Sequence, residues 1–497
     1  MSQPRNNDVL LYGRWERPRS TGLFGMTWGA TVYAGFFIIG TIVWFMATRS
    51  MITSAVFLAI GVSTLAPLLI RRRGRTGWEL ALVWQRFKWS SMKGENMFRG
   101  GVFGVVPGRA VQPGIQGDTR LYEYELRTGH RFGLIHARAK DHYTVVLASQ
   151  PQGQELAEQW QINDWVRGWD DFLAGLGTTH NVAGAVATIE TVPDNGTRIA
   201  SEVRAITEPT APAYAREVMA QTAMARTSAT TRTECRIAIT FRRQREAQSK
   251  DVADQGAAIG RLLSTIISRA AAAGLDATPM TSGDLCVVAM RAYRPEVDAE
   301  LETLVGEGEQ DQLRWDETGC AGAKAEWDRY IHNGFQSVTW EMSAAPAGTV
   351  THAALQPLLL PRADLPRKRI SIVYRVHNIA EAVKLVDNDF KDALSAEQAR
   401  TGVGSAAASI RVDNTREARK EQARGAGLTR FGMLITLTAR HDDDDLPQLS
   451  AEIEGLSSAA RLGVQRVYGG QDSSFAGGLG LGVLIPEYST VNRRLTA

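Results

Sequence analysis

The most apolar stretch of the chain is Leu23–Ile70, in which Arg49 is the only charged residue. A helix needs roughly 20 apolar residues to cross the hydrocarbon core of a bilayer. The segments Leu23–Met46 and Met51–Ile70 both reach that length, and the four residues between them are enough only for a tight turn. The pattern therefore predicts a transmembrane hairpin of two antiparallel helices at residues 23–70.

Beyond the predicted hairpin, the apolar residues switch repeatedly between a period of two, which is typical of strands, and a helical period. The predicted strands include Val182–Val192, Cys235–Arg242, Leu285–Ala292, Arg369–His377 and Leu428–Thr438. The predicted helices include Gln154–Leu176, Val252–Ala273, Ile379–Gly402 and Leu446–Leu462. In outline the order is strand, helix, strand, strand, helix, strand. This order predicts an α+β fold with ferredoxin-like domains, which are built on the split βαβ arrangement.

With 497 residues, the chain is long enough for two or three soluble domains besides the hairpin. We expect a cytoplasmic N-terminal segment at 1–22, the transmembrane hairpin at 23–70, a juxtamembrane helix and linker at 71–117, and two α+β cytoplasmic domains at 118–325 and 326–497. Gly77–Trp89 is predicted to be a helix that lies along the membrane surface; packing on the soluble part is the alternative. Gly470–Pro486 is predicted to be a Gly-rich loop.

Positive residues flank the predicted hairpin on both outer ends. Arg14, Arg17 and Arg19 precede it. The cluster that follows it consists of Arg71, Arg72, Arg73 and Arg75. Because positive charge near membrane ends stays on the cytoplasmic side, we expect a plasma-membrane protein with two spans and both termini in the cytoplasm. The cluster is a topology signal in this interpretation, and specific contact with anionic lipid headgroups is the alternative. The polar residues before the hairpin argue against a cleavable signal peptide.

Composition restricts the class of protein only slightly. The formal net charge of +3 is too small to indicate nucleic-acid binding. The three cysteines, Cys235, Cys286 and Cys320, are odd in number and far apart in the sequence. This usage is typical of a reducing compartment and not of a disulfide framework.

Signatures of catalysis and of metal or cofactor binding are missing from the sequence. It contains no P-loop, no His-Glu-x-x-His, no Cys-x-x-Cys and no Gly-x-Ser-x-Gly. The closest histidines are His130, His136 and His142, and a predicted turn at Lys140-Asp141 lies between the last two. Residues 442–445, four carboxylates in a row, indicate a solvated turn because they lack the spacing of a calcium loop. We therefore expect no catalytic residue, no metal site and no cofactor.

Three stretches resemble components of bacterial secretion systems. Residues 12–23, which read Tyr-Gly-Arg-Trp-Glu-Arg-Pro-Arg-Ser-Thr-Gly-Leu before the hairpin, resemble actinobacterial membrane proteins of conjugation gene clusters. The two-span anchor is similar to the small inner-membrane subunit of type IV secretion machines. Leu462–Pro486, which contains Gln471 and Phe475, resembles the end of the N-terminal domain of TrbE/VirB-type secretion ATPases. The chain departs from that family at Leu479-Gly480-Leu481-Gly482, where the family has a Leu-Pro-x-Gly-like segment before its ATPase core.

The resemblance implies an anchor joined to a platform domain, with ATP hydrolysis supplied by another chain. We expect a membrane-anchored structural subunit of a conjugation or type IV-like secretion apparatus, and not an enzyme. The expected partners are a hexameric secretion-type ATPase, other inner-membrane subunits and the lipid bilayer, without direct nucleic-acid binding; an oligomer is compatible with this role. Gln471 and Phe475 are predicted to lie at the partner surface, and the alternative is that Phe475 belongs to the core.

Three other interpretations stay open at this point. A type VII secretion component of the EccE kind also joins two spans to a cytoplasmic domain. A membrane-tethered enzyme of another type would need a cluster of polar residues in one cleft. A sensor of lipid or polymer would need a hydrophobic pocket.

Overall fold

The computed structural model describes most of the chain. The described residues are 8–13, 28–69, 71–72, 75–102, 104, 109–151, 153, 156–179, 181–194, 203, 205–208, 210–225, 230–243, 251–346, 348–362, 364–365, 367–398, 406–423, 427–442 and 445–488. The strands are β1 Tyr12–Gly13, β2 Arg71–Arg72, β3 Arg75–Thr76, β4 Met97–Arg99, β5 Thr119–Glu125, β6 Arg131–Ala137, β7 His142–Pro151, β8 Val182–Asp194, β9 Thr230–Arg242, β10 Leu275–Pro279, β11 Gly322–Ala325, β12 Tyr330–His332, β13 Phe335–Ala344, β14 Thr349–Val350, β15 Lys368–Val376, β16 Thr429–Arg440 and β17 Gly463–Arg466. The helices are α1 Trp28–Thr48, α2 Met51–Leu69, α3 Gly77–Met92, α4 Gln159–Thr178, α5 Ala213–Ala225, α6 Val252–Ala272, α7 Ser282–Tyr293, α8 Asp298–Glu307, α9 Gln356–Leu359, α10 Ile379–Gln398, α11 Ala406–Ala423, α12 Leu446–Ala459, α13 Gln471–Gly478 and α14 Ile485–Tyr488.

The chain forms two compact units. The first unit draws its described residues from Met1–Gly13, Gly94–Asn378 and Gly427–Tyr488, and the second from Arg14–Lys93, Ile379–Ala426 and Ser489–Ala497. The second unit therefore contains α1, α2 and α3 together with the later helices α10 and α11. The last two pack on each other, where Arg419 forms an ion pair with Asp387 (Nε to Oδ1, 2.8 Å).

The first unit is organised around one large antiparallel sheet of thirteen strands. The strand order is β4-β11-β12-β13-β16-β15-β8-β9-β7-β6-β5, with β10 pairing beside β7 and β17 beside β13. Helices lie against this sheet, so the class is α+β, as the sequence predicts.

The sheet contains the same connectivity twice. The run β7-α4-β8-β9-α6-β10 places its strands in the order β10-β7-β9-β8. The run β13-α9-β15-β16-α12-β17 places its strands in the order β17-β13-β16-β15. In both runs the fourth strand pairs with the first, and the third lies between the first and the second. This is the split βαβ order that the sequence predicts.

The two runs join through their second strands, β8 and β15, which pair from Lys368 opposite Thr191 to Tyr374 opposite Ala185. The sheet is therefore continuous across the predicted domain boundary at 325/326, and that boundary does not separate two units. The helical segments α5 and α10–α11 are insertions between the second and third strands of each run, and α10–α11 belongs to the second unit.

The predicted strand Leu285–Ala292 is wrong, because these residues form the middle of α7. A capping box starts this helix: Thr281 accepts a hydrogen bond from the backbone of Asp284, whose side chain bonds back to the backbone of Thr281. Residues 285–293 are all buried, so the helix is covered on every side and lacks the amphipathic period of a surface helix. The true fourth strand of the first run is β10, which precedes α7.

The core lies on both faces of the sheet. On one face, α4 and α6 cover Phe132, Ile237, Ile239 and Phe241, and α6 contributes Leu263. On the same strand β9, Ala238 points to the other face and packs in a second cluster with α7 and the C-terminal residues. A third cluster in the second run is built around Val338, Trp340, Ile370, Ile435 and Ile453.

Candidate functional site

Two apolar helices, α1 and α2, occupy the predicted hairpin region. Large apolar side chains along both are exposed in the structure. They include Phe36, Ile39, Val43, Ile52 and Val56. An exposed apolar surface of this extent needs a membrane or a protein partner to cover it. By length and composition, Thr31–Thr48 of α1 suffices to cross a membrane, whereas Met51–Pro67 of α2 is apolar but shorter.

The two helices contact each other through aromatic rings and one hydrogen bond. Tyr33 donates from its hydroxyl to Thr64 Oγ1 over 2.7 Å. The ring of Phe37 stacks on that of Phe57 with centroids 5.2 Å apart. A Cβ atom built at Gly61 would lie 2.3 Å from a ring carbon of Phe37, so a glycine is needed there for the helices to approach.

The predicted orientation cluster of arginines follows α2. Arg71–Arg72 and Arg75–Thr76 pair as the short antiparallel strands β2 and β3. Arg73 lies outside the described residues. The role of the cluster as a topology signal stays a prediction.

The helix α3, predicted at Gly77–Trp89, carries an exposed apolar stripe. Trp78, Leu82, Trp89 and Met92 recur at spacings of four, seven and three residues, which places them on one face. The exposed fractions rise along the stripe from 41% at Trp78 to 75% at Met92. Cationic groups accompany it, with Lys88 Nζ 5.0 Å from the ring centroid of Trp84 and Lys93 Nζ 5.5 Å from that of Trp89. Trp and Lys together are typical of a helix at a membrane interface.

The C-terminal residues 471–484 form a buried segment instead of the predicted Gly-rich loop. They begin with α13, and residues 474–484 are all buried. Gln471 is fully buried: its Oε1 accepts a hydrogen bond from Thr339 N over 2.8 Å, and its Nε2 donates to Val467 O over 2.6 Å. Phe475 is fully buried between Tyr330 and His332, with Arg369 over its ring. Phe475 therefore belongs to the core, which was the alternative. Neither Gln471 nor Phe475 is exposed to a partner.

Three glycines let this C-terminal segment cross the sheet at close range. The positions where their Cβ atoms would stand are 3.5 Å from Thr436 Oγ1 for Gly478, 3.0 Å from Thr188 Oγ1 for Gly480, and 3.0 Å from Ile135 for Gly482. Gly480 and Gly482 also have φ of +69° and +89°, which favour glycine.

Hydrogen bonds from the sheet hold the backbone of the C-terminal segment. Ser371 Oγ donates to Gly478 O over 2.5 Å, Gln116 Nε2 to Leu481 O over 2.6 Å, and Arg236 Nε to Leu479 O over 3.1 Å. The segment thus crosses both runs of the sheet on a face that presents hydroxyl and other polar side chains to its backbone, beside aliphatic residues such as Ile135.

Beside this segment, a buried carboxylate lies between two buried arginines. Glu190 on β8 stands directly opposite Arg369 on β15 and diagonal to Arg236 on β9. Arg369 donates from Nε and Nη2 to Glu190 Oε1, over 3.0 and 2.6 Å. Arg236 donates from Nη1 to Glu190 Oε2 over 2.8 Å. Burial opposes ionisation of Glu190, but the two arginines outweigh that effect and hold the pKa of its carboxyl well below its usual value.

A second set of ion pairs adjoins the first. Arg291 on α7 donates to Asp298 Oδ1 (2.6 Å) and to Glu234 Oε1 (2.7 Å), and Arg367 donates to Asp298 Oδ2 (2.5 Å). Arg232 bonds to both Glu234 and Glu302. We call these nine residues the arginine cluster: Arg232, Arg236, Arg291, Arg367, Arg369, Glu190, Glu234, Asp298 and Glu302. Together they carry five guanidinium groups and four carboxylates.

Sequence reasoning missed the arginine cluster because its members are scattered over more than 170 positions. One signal was present: Glu190 and Arg236 lie in strands, each between two residues that are apolar or small. A charge at such a position is buried on one face or the other and requires a partner.

The histidines and cysteines do not assemble a site in the described part of the chain. No group of three or more His, Cys, Asp or Glu residues there could hold a metal ion. The ring of His136 stacks on that of Tyr143 and bonds to Asp141. The three cysteines are free thiols, and burial raises the pKa of Cys286 and Cys320 to about 12, which makes them poor nucleophiles.

Comparison with known proteins adds one finding, at the N-terminal helices. Residues 19–79 match the model of a domain of unknown function, DUF8461. The match covers α1 and α2 and ends at the start of α3, so it concerns a small part of the chain. No curated protein matches the sequence.

Proposed function

We propose that this chain is a membrane-anchored structural subunit of a bacterial conjugation or type IV-like secretion apparatus, which positions a partner ATPase at the cytoplasmic face of the plasma membrane. The observation that carries the proposal is that the same chain contains an exposed apolar helix long enough to span a membrane and a large α+β unit. The secretion role is supported by the resemblance of residues 12–23 and of Leu462–Pro486 to secretion components.

The anchor consists of α1 and α2 in this proposal, with both helices crossing the bilayer and both termini in the cytoplasm. The contacts between Tyr33 and Thr64 and between Phe37 and Phe57 support two helices that insert as a pair. The exposed Trp78 and Trp89 support a position of α3 at the headgroups, only a few residues after α2 ends.

The platform consists of the ferredoxin-like runs of the sheet, both cytoplasmic in this proposal. Since Gln471 and Phe475 are buried, the ATPase must dock elsewhere on the first unit. Self-association and contacts with other inner-membrane subunits fit the same role, and direct contact with nucleic acid is not part of it.

The test of partner identity is purification of the tagged full-length chain from native membranes in mild detergent, followed by mass spectrometry. Recovery of a type IV-like secretion ATPase without its own anchor supports the proposal. Recovery of type VII components would favour the EccE-like alternative, and recovery of the bait alone would contradict a scaffold role.

The test of topology is labelling of a Thr496→Cys variant with a membrane-impermeant maleimide in intact and permeabilised cells. Labelling only after permeabilisation is expected. The matched control is the parent chain, whose Cys286 and Cys320 are buried and whose Cys235 is partly buried. Labelling of Thr496→Cys in intact cells would overturn the predicted orientation.

A further inference from the structure

The two faces of the helix α3 differ in exposure. Leu80, Val83 and Phe87 lie on one face and are partly buried, and α3 packs on α2. The apolar stripe from Trp78 to Met92 lies on the opposite face, and all four of its side chains are exposed. The stripe is therefore the face of α3 that is free to contact another surface.

The first turn of α3 is fixed to the last turns of α2. Trp78 donates from Nε1 to Thr64 O over 2.8 Å. A Cβ atom built at Gly77 would lie 2.9 Å from Pro67 O, so a side chain there would collide with α2. Because these contacts join the two helices, the end of α2 sets the depth at which α3 meets a membrane. In the proposed anchor, where α2 crosses the bilayer, α3 begins at the bilayer surface.

The chain enters and leaves the anchor from the same compact unit. Before the anchor, Asn163 donates from Nδ2 to Asp8 O over 2.9 Å, and Tyr12–Gly13 pairs with Thr349–Val350. After the anchor, β4 pairs with β11. All of these residues belong to the first unit, so the segment between them crosses a bilayer an even number of times. The chain therefore leaves α2 on the side where the first unit lies, which is cytoplasmic in the proposed function.

The positive charge of the protein is concentrated at this point of the chain. Residues 71–93 contain seven Lys or Arg residues and a single acidic residue, Glu79, whereas the whole chain has a net charge of only +3. Within α3, the exposed Arg86 and Lys88 fall on opposite flanks of the stripe. Aromatic rings flanked by cations match the boundary between acyl chains and negatively charged headgroups. The exposed face of α3 thus complements an anionic bilayer surface.

We propose that residues 71–93 bind the headgroups of anionic phospholipids in the cytoplasmic leaflet. The apolar stripe lies among the upper parts of the acyl chains, and Arg86, Lys88 and Lys93 contact lipid phosphates beside it. Binding holds α3 along the bilayer surface. This inference rests on the membrane anchor of the proposed function and adds the class of lipid that the anchor selects.

The test is electron spin resonance of the full-length chain reconstituted in phosphatidylcholine bilayers, with trace spin-labelled phosphatidylglycerol or spin-labelled phosphatidylcholine as the probe. The fraction of each probe that the protein immobilises gives the relative affinity of the two lipids. We expect a preference for phosphatidylglycerol of at least about threefold at low salt. The preference should fall at about 1 M salt, where the Debye length is only about 3 Å.

A triple variant assigns the preference to α3. Arg86→Gln, Lys88→Gln and Lys93→Gln together should reduce the preference for phosphatidylglycerol at least about twofold, since each basic residue near the surface attracts anionic lipid. Circular dichroism would verify the fold. The control triple variant should keep the preference of the parent chain. It replaces three exposed arginines of the first unit by glutamine: Arg127, Arg167 and Arg261.

Extraction of the reconstituted vesicles with alkaline carbonate separates this inference from the anchor on which it rests. Two results would overturn the lipid site and leave the anchor intact. In the first, the parent chain stays in the membrane but immobilises both probes equally. In the second, the α3 triple variant prefers phosphatidylglycerol as strongly as the control variant. Release of the parent chain by carbonate would overturn the anchor and the lipid site together.

Discussion

The two faces of the central strands are held by different forces. On β9, Ile237, Ile239 and Phe241 point to a face covered by helices, and the stabilisation there comes from apolar burial. The alternate residues Arg236 and Thr240 point to the face that the C-terminal segment crosses. That face adds hydrogen bonds and buried ion pairs to an apolar cluster formed with α7 and the C-terminal segment.

The difference follows from what covers each face. A helix presents side chains that interdigitate with aliphatic residues of the sheet, whereas a glycine segment presents backbone groups that need donors and acceptors. Pairs of hydroxyls line its route, such as Thr144 with Thr240 at 2.8 Å and Thr339 with Thr436 at 3.0 Å. The comparison teaches that a polar strand position can be as fully buried as an apolar one when backbone lies over it.

The largest effect is expected on the polar face, from Glu190→Gln. The variant leaves Arg236 and Arg369 buried without their carboxylate, and breaking a buried ion pair in this way costs about 3–5 kcal/mol. Urea unfolding followed by tryptophan fluorescence measures the free energy of unfolding. The control Glu326→Gln, whose carboxylate pairs with Lys324 at the surface, should cost less than about 1 kcal/mol. Equal effects of the two variants would contradict the difference between the faces.

On the apolar face, Leu263→Ala is expected to destabilise the fold by about 2–5 kcal/mol through the lost burial and the cavity that remains. The same unfolding measurement applies. Leu263→Met preserves most of the volume and should cost less than about 1.5 kcal/mol. A large loss of unfolding free energy in Leu263→Met as well would mean that the shape of the side chain, and not apolar burial, determines the stability of this face.

A smaller effect is expected where the C-terminal segment approaches the sheet. Gly480→Ala places a Cβ on a residue with φ of +69° and at 3.0 Å from Thr188 Oγ1, and the left-handed conformation alone costs about 1–2 kcal/mol. The control is Gly455→Ala in the middle of α12, where a Cβ meets nothing within 4 Å. That variant should be neutral or stabilising by up to about 1 kcal/mol. The ranking would be refuted if Gly455→Ala were the more damaging change.

The last effect concerns a lysine on the apolar face of the second run, and it appears only as a change of stability with pH. Lys368 is buried, and its Nζ donates to Leu360 O over 2.7 Å. Burial, helped by Arg362, lowers the pKa of Lys368 from 10.5 to about 8. Between these values the unfolded chain holds a proton that the folded chain has released, so this residue makes stability rise with pH from about 8 to 10.5.

The comparison of the parent chain with Lys368→Met isolates that contribution, because the other groups that titrate in the range are common to both. Between pH 8 and 10.5, the unfolding free energy of the parent chain should rise relative to that of Lys368→Met. A difference that stays constant would show that folding does not lower the pKa of Lys368.

Periodic patterns allowed much of this fold to be predicted from the sequence. The apolar helices α1 and α2, the long strands β8, β9, β15 and β16 and the α+β class follow from local spacing. α7 was predicted as a strand because a helix buried on every side has no period to distinguish it. The sequence predicts the C-terminal segment as a loop because it is rich in glycine. These glycines are required by the close approach of the segment to the sheet, which local sequence does not reveal.

The arginine cluster illustrates the same limit for the candidate site. Glu190 and its partner Arg369 are 179 positions apart, and no local rule pairs them. Their pairing requires the register of β8 against β15, which is set by the alternation of apolar residues along both strands.

The placement of residues 471–484 also fixes when the sheet can be completed during synthesis. These residues leave the ribosome after all of the strands they cover, so the hydroxyl-lined face stays hydrated until they emerge. A nascent chain halted before Gly478 would therefore expose Arg236 and Ser371 to solvent, without the backbone oxygens that they contact in the finished protein.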